Sequence, residues 1–265
     1  MDKIPEGLQM GGGEWRAIES LQNAQAKRWL SLTETRGIKK HGAFLLSGRK
    51  TVPEALKRHG VRFTAVLAAK AEDAEALPLP AGIARYAVGR ALFEMLDTNG
   101  TGFPLLAGEV PEMAAADFSK PPKGLELLCA LGDPANLGAL LRSAAAFGVS
   151  RVVLMEGAAH PFHPKALRGG ANAQFEMSFL RGGGWSALEG AKGPLVALDG
   201  AGADMTAYDW PRDLRLVLGE EGLGVPPALA ATRLAIATTG RVESLNATVA
   251  ASLALQAWYE ARGKK

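Results

Sequence analysis

Three stretches in the second half of the chain combine polar side chains with small residues in patterns that suit chemistry on a bound ligand. The first, residues 133–148, reads DPANLGALLRSAAAFG and places Arg142 in a predicted helix among glycine and alanine. A guanidinium with such small neighbours can extend past the helix surface and hold a carboxylate or phosphate through paired hydrogen bonds. Asn136 is placed to cap the start of this helix. A plain surface arginine would give the same pattern.

The second stretch is a glycine-rich loop with two carboxylates, Gly219-Glu-Glu-Gly-Leu-Gly224. It follows a predicted strand, and its GxxGxG spacing differs from the GxGxxG of a dinucleotide fold and lacks the Lys-Ser/Thr of a P-loop. Glycines let a ligand approach the backbone closely. A simple turn needs one glycine, so three of them beside Glu220 and Glu221 leave both a turn and a ligand loop open.

The third stretch runs from Ile236 to Gly263, from the end of a strand through a loop into the last predicted helix. Ser244 and Asn246 predict the helix start because their side-chain oxygens accept hydrogen bonds from the N–H groups of a first turn. One face of the helix carries only small residues at 3/4 spacing, which lets other backbone lie close: Ala247, Ala250, Ala251 and Ala254. An ordinary buried helix has the same feature.

Composition indicates a globular protein with one large domain or two ordinary ones. The 265 residues are 48% hydrophobic and 22% charged, typical of soluble domains. No apolar run reaches the length of a membrane helix, and no basic-then-apolar leader opens the sequence. The single cysteine, Cys129, excludes an intramolecular disulfide and is predicted to be a buried strand residue. A cytoplasmic location is expected.

The charge is distributed unevenly although the net charge is only +3. Residues 27–62 contain ten Lys or Arg and two Glu, so ten minus two gives a local charge of +8. A polyanionic partner would meet this region first, with binding that weakens in salt. A solvated charged face is the alternative.

Two α/β domains are predicted. Residues 1–24 form a mobile lead with a short helix from Glu14; residues 25–112 form the first domain, 113–124 a linker and 125–265 the second domain. The first domain is predicted to contain helices at 25–36, 52–58, 71–76 and 90–96, and strands at 43–46, 64–68, 84–88 and 105–107. The second alternates strands at 125–131, 151–155, 175–179, 194–198, 214–218 and 233–237 with helices at 136–147, 164–170, 184–190, from Pro226, and at the end. That alternation predicts a mostly parallel sheet with helices on both faces.

Together the three stretches resemble the three motifs of the SpoU/TrmH branch of the SPOUT methyltransferases. The resemblance is close over residues 125–262 and looser over 27–112, where Phe44-Leu-Leu-Ser-Gly-Arg-Lys50 opens what resembles an L30e-like substrate-binding domain. It implies a trefoil-knotted α/β fold whose last helix passes through an earlier loop. It also implies a homodimer that transfers a methyl group from S-adenosylmethionine to a ribose 2′-hydroxyl of structured RNA, with ribosomal RNA favoured over transfer RNA and no metal.

The resemblance also assigns roles to residues. The residues implied in catalysis are Arg142, Asn136, Ser244, Asn246 and Glu221. Those implied in cofactor binding, largely through backbone groups, are Gly219, Ile236, Leu245, Leu218, Thr238 and Gly224. The candidates for RNA contacts are Lys39, Lys40, Arg49, Lys50 and Arg168. Relatives commonly carry Ile-Pro-Met where this chain has Ile236-Ala-Thr238.

The mechanism expected is an in-line displacement in which the 2′-oxygen attacks the sulfonium methyl group, promoted by alignment and charge stabilisation. A guanidinium has a pKa above about 12, so Arg142 is expected to hold a neighbouring phosphate and stabilise the developing alkoxide, not to take the proton. A non-catalytic RNA-binding protein on the same fold stays open as an alternative. The glycine spacing disfavours a nucleotide-dependent oxidoreductase, and one cysteine without a nearby carboxylate trio disfavours a metal at His160 and His163.

Overall fold

The computed structural model describes residues 14–58 and 60–263, which divide into two compact units. One unit comprises the described residues up to Pro111 together with Phe162–Pro164. The other comprises Glu112–Pro161 and the described residues from Lys165 onward. Each unit is built on its own sheet.

The first unit is a five-stranded mixed sheet in the order β1-β4-β3-β5-β2, in which β1, β4 and β3 are parallel and β5 runs antiparallel to β3 and β2. Its strands are β1 (Trp15–Ile18), β2 (Ala43–Leu46), β3 (Phe63–Ala68), β4 (Ala84–Val88) and β5 (Leu105–Glu109). Its helices are α1 (Ala24–Ser31), α2 (Thr35–His41), α3 (Thr51–Leu56) and α4 (Arg90–Leu96), with a 3₁₀ turn at Ala71–Ala74. The core lies between the sheet and helices α1 and α4, around Trp29, Leu67 and Leu92.

Two predictions for the first unit are wrong. The expected helix from Glu14 is strand β1, which pairs along its whole length with β4, so residues 15–18 belong to the sheet and not to a mobile lead. The part of the predicted lead before residue 14 lies outside the described residues.

The single helix expected over residues 25–36 is broken into α1 and α2. The hydroxyls of Ser31 and Thr33 donate to the carbonyls of Arg28 and Leu30, 2.6 and 2.8 Å away. Such local side-chain bonds compete with the helical ladder and favour its end. Strands β2 and β4 and helix α4 match their predicted bounds.

The second unit is a six-stranded sheet in the order β11-β9-β10-β6-β7-β8, and each neighbouring pair of strands is parallel. Its strands are β6 (Leu125–Cys129), β7 (Arg151–Met155), β8 (Ser178–Gly183), β9 (Leu195–Asp204), β10 (Leu214–Leu218) and β11 (Thr232–Ala235). Its helices are α5 (Pro134–Ala146), α6 (Pro164–Gly170) and α7 (Ala247–Gly263), and four-residue 3₁₀ helices lie at Ala173–Glu176 and Trp185–Leu188. The predicted α/β class with a parallel sheet is therefore confirmed.

The predicted helix from Pro226 is wrong, because one arginine binds the carbonyls that would begin it. Arg233 Nη2 donates to Pro226 O at 2.7 Å, and Arg233 Nη1 to Asp199 Oδ2 at 2.5 Å. Only one turn closes there, from Leu229 N to Pro226 O. Two further elements differ from their predicted bounds. The helix predicted at residues 184–190 is a short 3₁₀ helix, and strand β8 begins at Ser178 instead of residue 175.

The expected linker is packed against the second unit. Phe118 is buried in its core cluster, Ala115 forms a bridge with Arg181, and Arg215 donates to the carbonyl of Lys120 at 2.7 Å. Within the described ranges no helix is long and apolar enough to cross a membrane.

Candidate functional site

The three chemistry-bearing stretches begin at one edge of the second sheet. In a parallel sheet all carboxyl ends lie together, and β6 and β10 end side by side, with Leu218 paired to Cys129. The first stretch follows β6 and the second follows β10. The third follows β11, which is two strands from β10 and hence about 10 Å away at the usual strand spacing.

Helix α5 begins with a cap that differs from the predicted one. Asp133, not Asn136, is the N-cap: its Oδ1 accepts from Asn136 N at 2.7 Å, and Pro134 fills the first helical position, where no N–H is needed. The Asn136 side chain is therefore available for another contact. Its Nδ2 donates to Glu221 Oε1 at 2.5 Å, which joins the first stretch to the second.

Helix α7 joins the third stretch to the first. Asn246 caps it as predicted, with Oδ1 accepting from Thr248 N at 2.9 Å and Val249 N at 3.3 Å. Thr248 Oγ1 donates to the backbone carbonyl of Asn136 at 3.0 Å. Glu221, Asn136 and Thr248, here called the Asn136 cluster, thus connect three segments that are far apart in the sequence.

Further along, the two helices share a polar contact and small buried residues. Ser252 Oγ on α7 donates to Ser143 Oγ on α5 at 2.8 Å. Ala251 and Ala254 of the predicted small face are fully buried, whereas Ala247 and Ala250 are half-buried. The small face therefore does bring other backbone close to α7.

The glycine-rich loop closes on itself as a tight hairpin. Glu220 and Gly224 exchange both backbone hydrogen bonds, at 3.2 and 2.8 Å. A methyl group on Gly219 would lie 2.0 Å from the carbonyl carbon of Gly224, so the hairpin itself requires a glycine at this position. Gly222 and Gly224 have φ of +87° and +70°, conformations that favour glycine. The loop tip, Leu223, is 82% exposed.

The loop between β11 and α7 offers backbone groups to a ligand. No backbone–backbone hydrogen bond involves Ala237–Leu245 within the part of the chain that the structure describes, and the Gly240 N–H is bound by Thr238 Oγ1 at 3.3 Å. Ile236 and Leu245 are half-buried, Thr238 is exposed, and Leu218 is buried at the end of β10. The backbone groups of this segment are therefore available for hydrogen bonds to a ligand.

Arg142 and Ser244 form no hydrogen bond with the Asn136 cluster among the described residues. Both are exposed, and the Arg142 guanidinium makes no hydrogen bond or ion pair with any residue in the described ranges. Arg142 is six positions after Asn136 in α5, which places their side chains about 120° apart around the helix axis. Within one chain, Arg142 and Asn136 therefore lie on different faces of α5.

The candidate RNA contacts in the first unit divide between two ends of the sheet. Lys39 and Lys40 lie exposed in the last turn of α2, before the amino end of β2. Arg49 and Lys50 lie beyond its carboxyl end, where Arg49 Nε donates to Thr101 O at 3.1 Å. Lys50 forms an exposed ion pair with Glu54 at 3.9 Å. Arg168, in the second unit, is exposed in the last turn of α6.

Two residues near the site were missed from the sequence. Thr248 was not singled out from the sequence, because only the small and the apolar faces of this helix were considered. A polar residue two positions after the cap Asn246 could have indicated it. Trp185, in a 3₁₀ helix, donates from Nε1 to Glu220 Oε1 at 3.4 Å and so holds the hairpin from its other side. Nothing in the sequence around Trp185 indicates that contact.

Cys129 is the last residue of β6, just before the first stretch, and its thiol is unreactive. It is completely buried at the end of β6, as predicted. The pKa of its thiol is raised to about 12, chiefly by burial; the hydrogen bond from Leu131 N opposes the rise, and the Glu221 carboxylate adds to it. No group of three or more His, Cys, Asp or Glu placed to hold a metal occurs among residues 14–58 and 60–263.

Comparison with known proteins identifies the family. Residues 127–256 match the model of the SpoU rRNA Methylase family. The chain is 31% identical over 258 residues to the 23S rRNA (guanosine(2553)-2′-O)-methyltransferase RlmP of Bacillus subtilis, an alignment that covers 94% of this chain and 100% of that protein. It is 38% identical over 245 residues to the Ribosomal RNA small subunit methyltransferase G 2 of Syntrophobacter fumaroxidans, covering 92% of this chain and 49% of that relative. The chain thus spans about half the length of this second relative.

A solved structure gives the same fold. The AdoMet-bound rRNA methyltransferase of Sinorhizobium meliloti superposes with a TM-score of 0.77 at 23% identity, covering 95% of this chain and 99% of that one. Joined with the family match and with the full-length similarity to the Bacillus subtilis enzyme, the convergence of the three stretches leads to one assignment: the chain belongs to the SpoU rRNA methylase family.

Proposed function

We propose that this protein transfers a methyl group from S-adenosylmethionine to a ribose 2′-hydroxyl of structured RNA, with ribosomal RNA favoured over transfer RNA. The Asn136 cluster is the observation that carries the proposal, because it joins three separate segments at the carboxyl edge of a parallel sheet. Ligands of open α/β sheets bind at that edge. The printed name of the Bacillus subtilis relative describes a 2′-O-methyltransferase of 23S rRNA.

The cofactor would be held by the hairpin 219–224 and by the segment 236–245. Residues 237–245 make no backbone–backbone hydrogen bond in the described ranges, so their backbone groups suit the polar parts of a nucleoside, and the side chains of Leu223 and Val242 are exposed. S-adenosylmethionine supplies an electrophilic methyl group when bound. Within this site the role of Asn136 and Glu221 is to fix the two loops relative to each other, since each orients the other's side chain.

Arg142 would bind a phosphate next to the target ribose and stabilise negative charge on the 2′-oxygen, while solvent or the phosphate accepts the proton. Its exposure and its lack of partners in the described ranges suit that role. Because it lies on a different face of α5 from Asn136, Arg142 would act at the site of a second copy.

This arrangement requires a homodimer, which we propose forms through the second unit. Val249 and Leu253 are four residues apart on one face of α7 and are 49% and 40% exposed, and Tyr259 farther along is 51% exposed. Large exposed apolar groups on one helix are typical of a protein interface. Leu253→Glu should convert a dimer to a monomer in light scattering, whereas the exposed control Glu260→Gln should not. A trefoil knot in this unit and an L30e-like relationship of the first unit stay predictions.

The test of the activity has two parts. Calorimetry should detect binding of S-adenosylhomocysteine, and tritium from labelled S-adenosylmethionine should enter unmodified ribosomal RNA. Arg142→Lys should lower transfer at least about 10-fold, because lysine cannot make the paired contact, while Arg212→Lys, an exposed arginine at the opposite edge of the sheet, should be neutral. Cofactor binding without transfer to any RNA would favour the non-catalytic alternative, and full activity of Arg142→Lys would exclude the paired role.

A further inference from the structure

The first unit contains a recess on the face of its sheet, formed by a row of alanines. Ala84, Ala65 and Ala107 are paired directly across β4, β3 and β5, so their side chains lie on one face. The next row on that face holds Tyr86, Leu67 and Leu105, which pack into the core. Strands usually carry bulky residues at such positions; three alanines in register leave the amino end of the face open.

The recess measures about 540 Å³, within the roughly 300–1,000 Å³ typical of small-ligand sites. One wall is aromatic: Trp29 of α1 meets Tyr86 edge to face, with ring centroids 4.8 Å apart. Tyr86 is half-buried and lines the recess. The rim is polar and contains Gln25, Arg28, His41, Thr64 and Glu109.

Basic residues are concentrated in the chain next to the rim residues Arg28 and His41. Arg28 and His41 lie in the last turns of α1 and α2, beside Lys27, Lys39 and Lys40 in the chain. The carboxylate Glu109 is already paired with Arg62 at 3.2 Å. Basic residues are common at helix carboxyl ends, but here two such ends converge on one recess with a small-residue floor. The basic region 27–62 therefore forms two separate clusters, and this one is distinct from Arg49 and Lys50 at the other end of β2.

We propose that this recess takes one unpaired nucleotide of an RNA substrate, with the base against Tyr86 on the alanine floor and the phosphates among Arg28 and its lysine neighbours. Unstacked bases are recognised by aromatic side chains and by groups on their polar edges. The inference rests on the proposed RNA substrate but not on methyl transfer itself. It adds a second point of attachment for RNA, at the opposite end of the sheet from Arg49 and Lys50.

The test uses the full chain and a fluorescein-labelled 12-nucleotide RNA of mixed sequence, with binding followed by anisotropy. Arg28→Ala removes an exposed charge, and Ala84→Leu fills the recess from a half-buried position. Each should weaken binding about 5- to 20-fold, the range expected for one base contact or a few phosphate contacts. Lys70→Ala, the loss of an exposed charge elsewhere in the unit, should change binding less than 2-fold. Thermal melts followed by circular dichroism establish that the variants are folded.

The response to abasic RNA, the two variants and the binding of S-adenosylhomocysteine together decide the proposal. An RNA with abasic central positions should bind the wild type more weakly and should no longer distinguish Ala84→Leu. Wild-type affinity of both Arg28→Ala and Ala84→Leu would overturn the proposal, and so would an equal response of abasic and intact RNA, which indicates phosphate contacts alone. Loss of RNA binding in these variants with normal binding of S-adenosylhomocysteine supports it. If the protein bound no S-adenosylhomocysteine but these substitutions still weakened RNA binding, the proposed activity would be refuted and the proposal for the recess would stand.

Discussion

Asn136 and Glu221 form an amide–carboxylate pair in which only one polarity is possible, since a carboxylate can only accept. Asn136→Asp would place two carboxylates about a hydrogen bond apart and push the two loops away from each other. We expect methyl transfer to fall at least about 10-fold, more than in Asn136→Ala, with a small change in melting temperature because the pair is largely exposed.

The reversed pair provides the control. In Asn136→Asp combined with Glu221→Gln, the amide donates from the other side, so activity should recover relative to Asn136→Asp alone. Kinetics of tritium transfer on the same RNA would measure this. If the double variant were no better than the single one, Asn136 would act through something other than Glu221.

Cys129 gives a second prediction at the residue scale. Its pKa of about 12, raised chiefly by burial, keeps the thiol protonated and unreactive at pH 8 in the folded protein. An aromatic disulfide reagent should therefore react only at the rate of unfolding. The labelling kinetics report on Cys129 alone, because the chain has one cysteine. Fast labelling of the native protein would contradict the burial.

The same shift has a consequence for stability. The thiol pKa is raised from its ordinary value of 9.0. The contribution of the protonated thiol to the free energy of unfolding is therefore fully present below about pH 9. It is lost as the pH rises from about 9 towards 12, because only the unfolded chain ionises there. Urea unfolding of the wild type should lose stability over this window more steeply than Cys129→Ala does.

Residue identities at the site were readable from the sequence, but their contacts were not. Asp133 and Asn136 are both good caps three residues apart, and only the position of Pro134 at the first turn assigns the cap to Asp133. Gly219 is predicted to contact the cofactor, and its close approach to Gly224 is a second reason for a glycine there that the sequence does not reveal. One residue type serves several geometries, so spacing alone assigns neither the cap nor this approach.

At the scale of elements, helices α5 and α6 cross at unusually close range. A methyl group on Gly138 would lie 2.4 Å from the carbonyl oxygen of Ala166, and one on Gly169 would lie 3.1 Å from that of Ala135. Alanine is the better helix former by about 1 kcal/mol. We nevertheless expect Gly138→Ala to destabilise the protein by about 1–3 kcal/mol, because the backbones must separate.

Urea unfolding would measure this effect, with Gly132→Ala as the control. Gly132 precedes the same helix, and a methyl group there would be 3.7 Å from the nearest carbonyl oxygen, an ordinary contact. The control should be neutral within about 0.5 kcal/mol. A Gly138→Ala variant as stable as the control would mean that the two helices can separate without cost.

Elements with strong local patterns were predicted closely. Strands β2, β4 and β10 and helices α4 and α6 have their expected bounds, since apolar runs or caps mark their ends. The helix expected from Pro226 does not form, because its first carbonyls are bound by Arg233 from a strand that follows later in the chain. Local patterns cannot reveal such a long-range competitor.

At the scale of the whole molecule, the order of the strands decides which residues meet. Periodicity predicts parallel strands but not that β10 lies between β9 and β6, and that order is what brings the hairpin 219–224 beside α5. The basic region 27–62 was likewise readable as a charge excess. Its division between two ends of a sheet depends on the antiparallel pairing of β2 with β5 and on the turns around it.

The amino edge of the second sheet holds a buried charge network that crosses three strands. Glu126 is paired in register with Arg215 on β10 and Arg151 on β7. Its carboxylate accepts from Arg215 Nε at 2.8 Å and Arg151 Nη1 at 2.6 Å. Arg215 is almost fully buried and also donates to the carbonyls of Lys192 and Lys120, so it fastens two connecting segments to the sheet.

Removing Arg215 and Glu126 together should destabilise the protein by less than the sum of the two single changes. Arg215→Met leaves the Glu126 carboxylate buried with only the partly exposed Arg151 as a partner, and we expect a loss of about 2–4 kcal/mol in urea unfolding. Glu126→Leu combined with Arg215→Met should cost less than the sum of the two single changes, because no buried charge is left unpaired. Arg62→Met, which breaks the exposed pair with Glu109, should cost under about 1 kcal/mol. Additive losses in the double variant would show that Arg215 stabilises the protein through its two carbonyl contacts and not through Glu126. Methyl transfer by the folded fraction should stay unchanged in the Arg215 and Glu126 variants, since the network lies at the opposite edge from the Asn136 cluster.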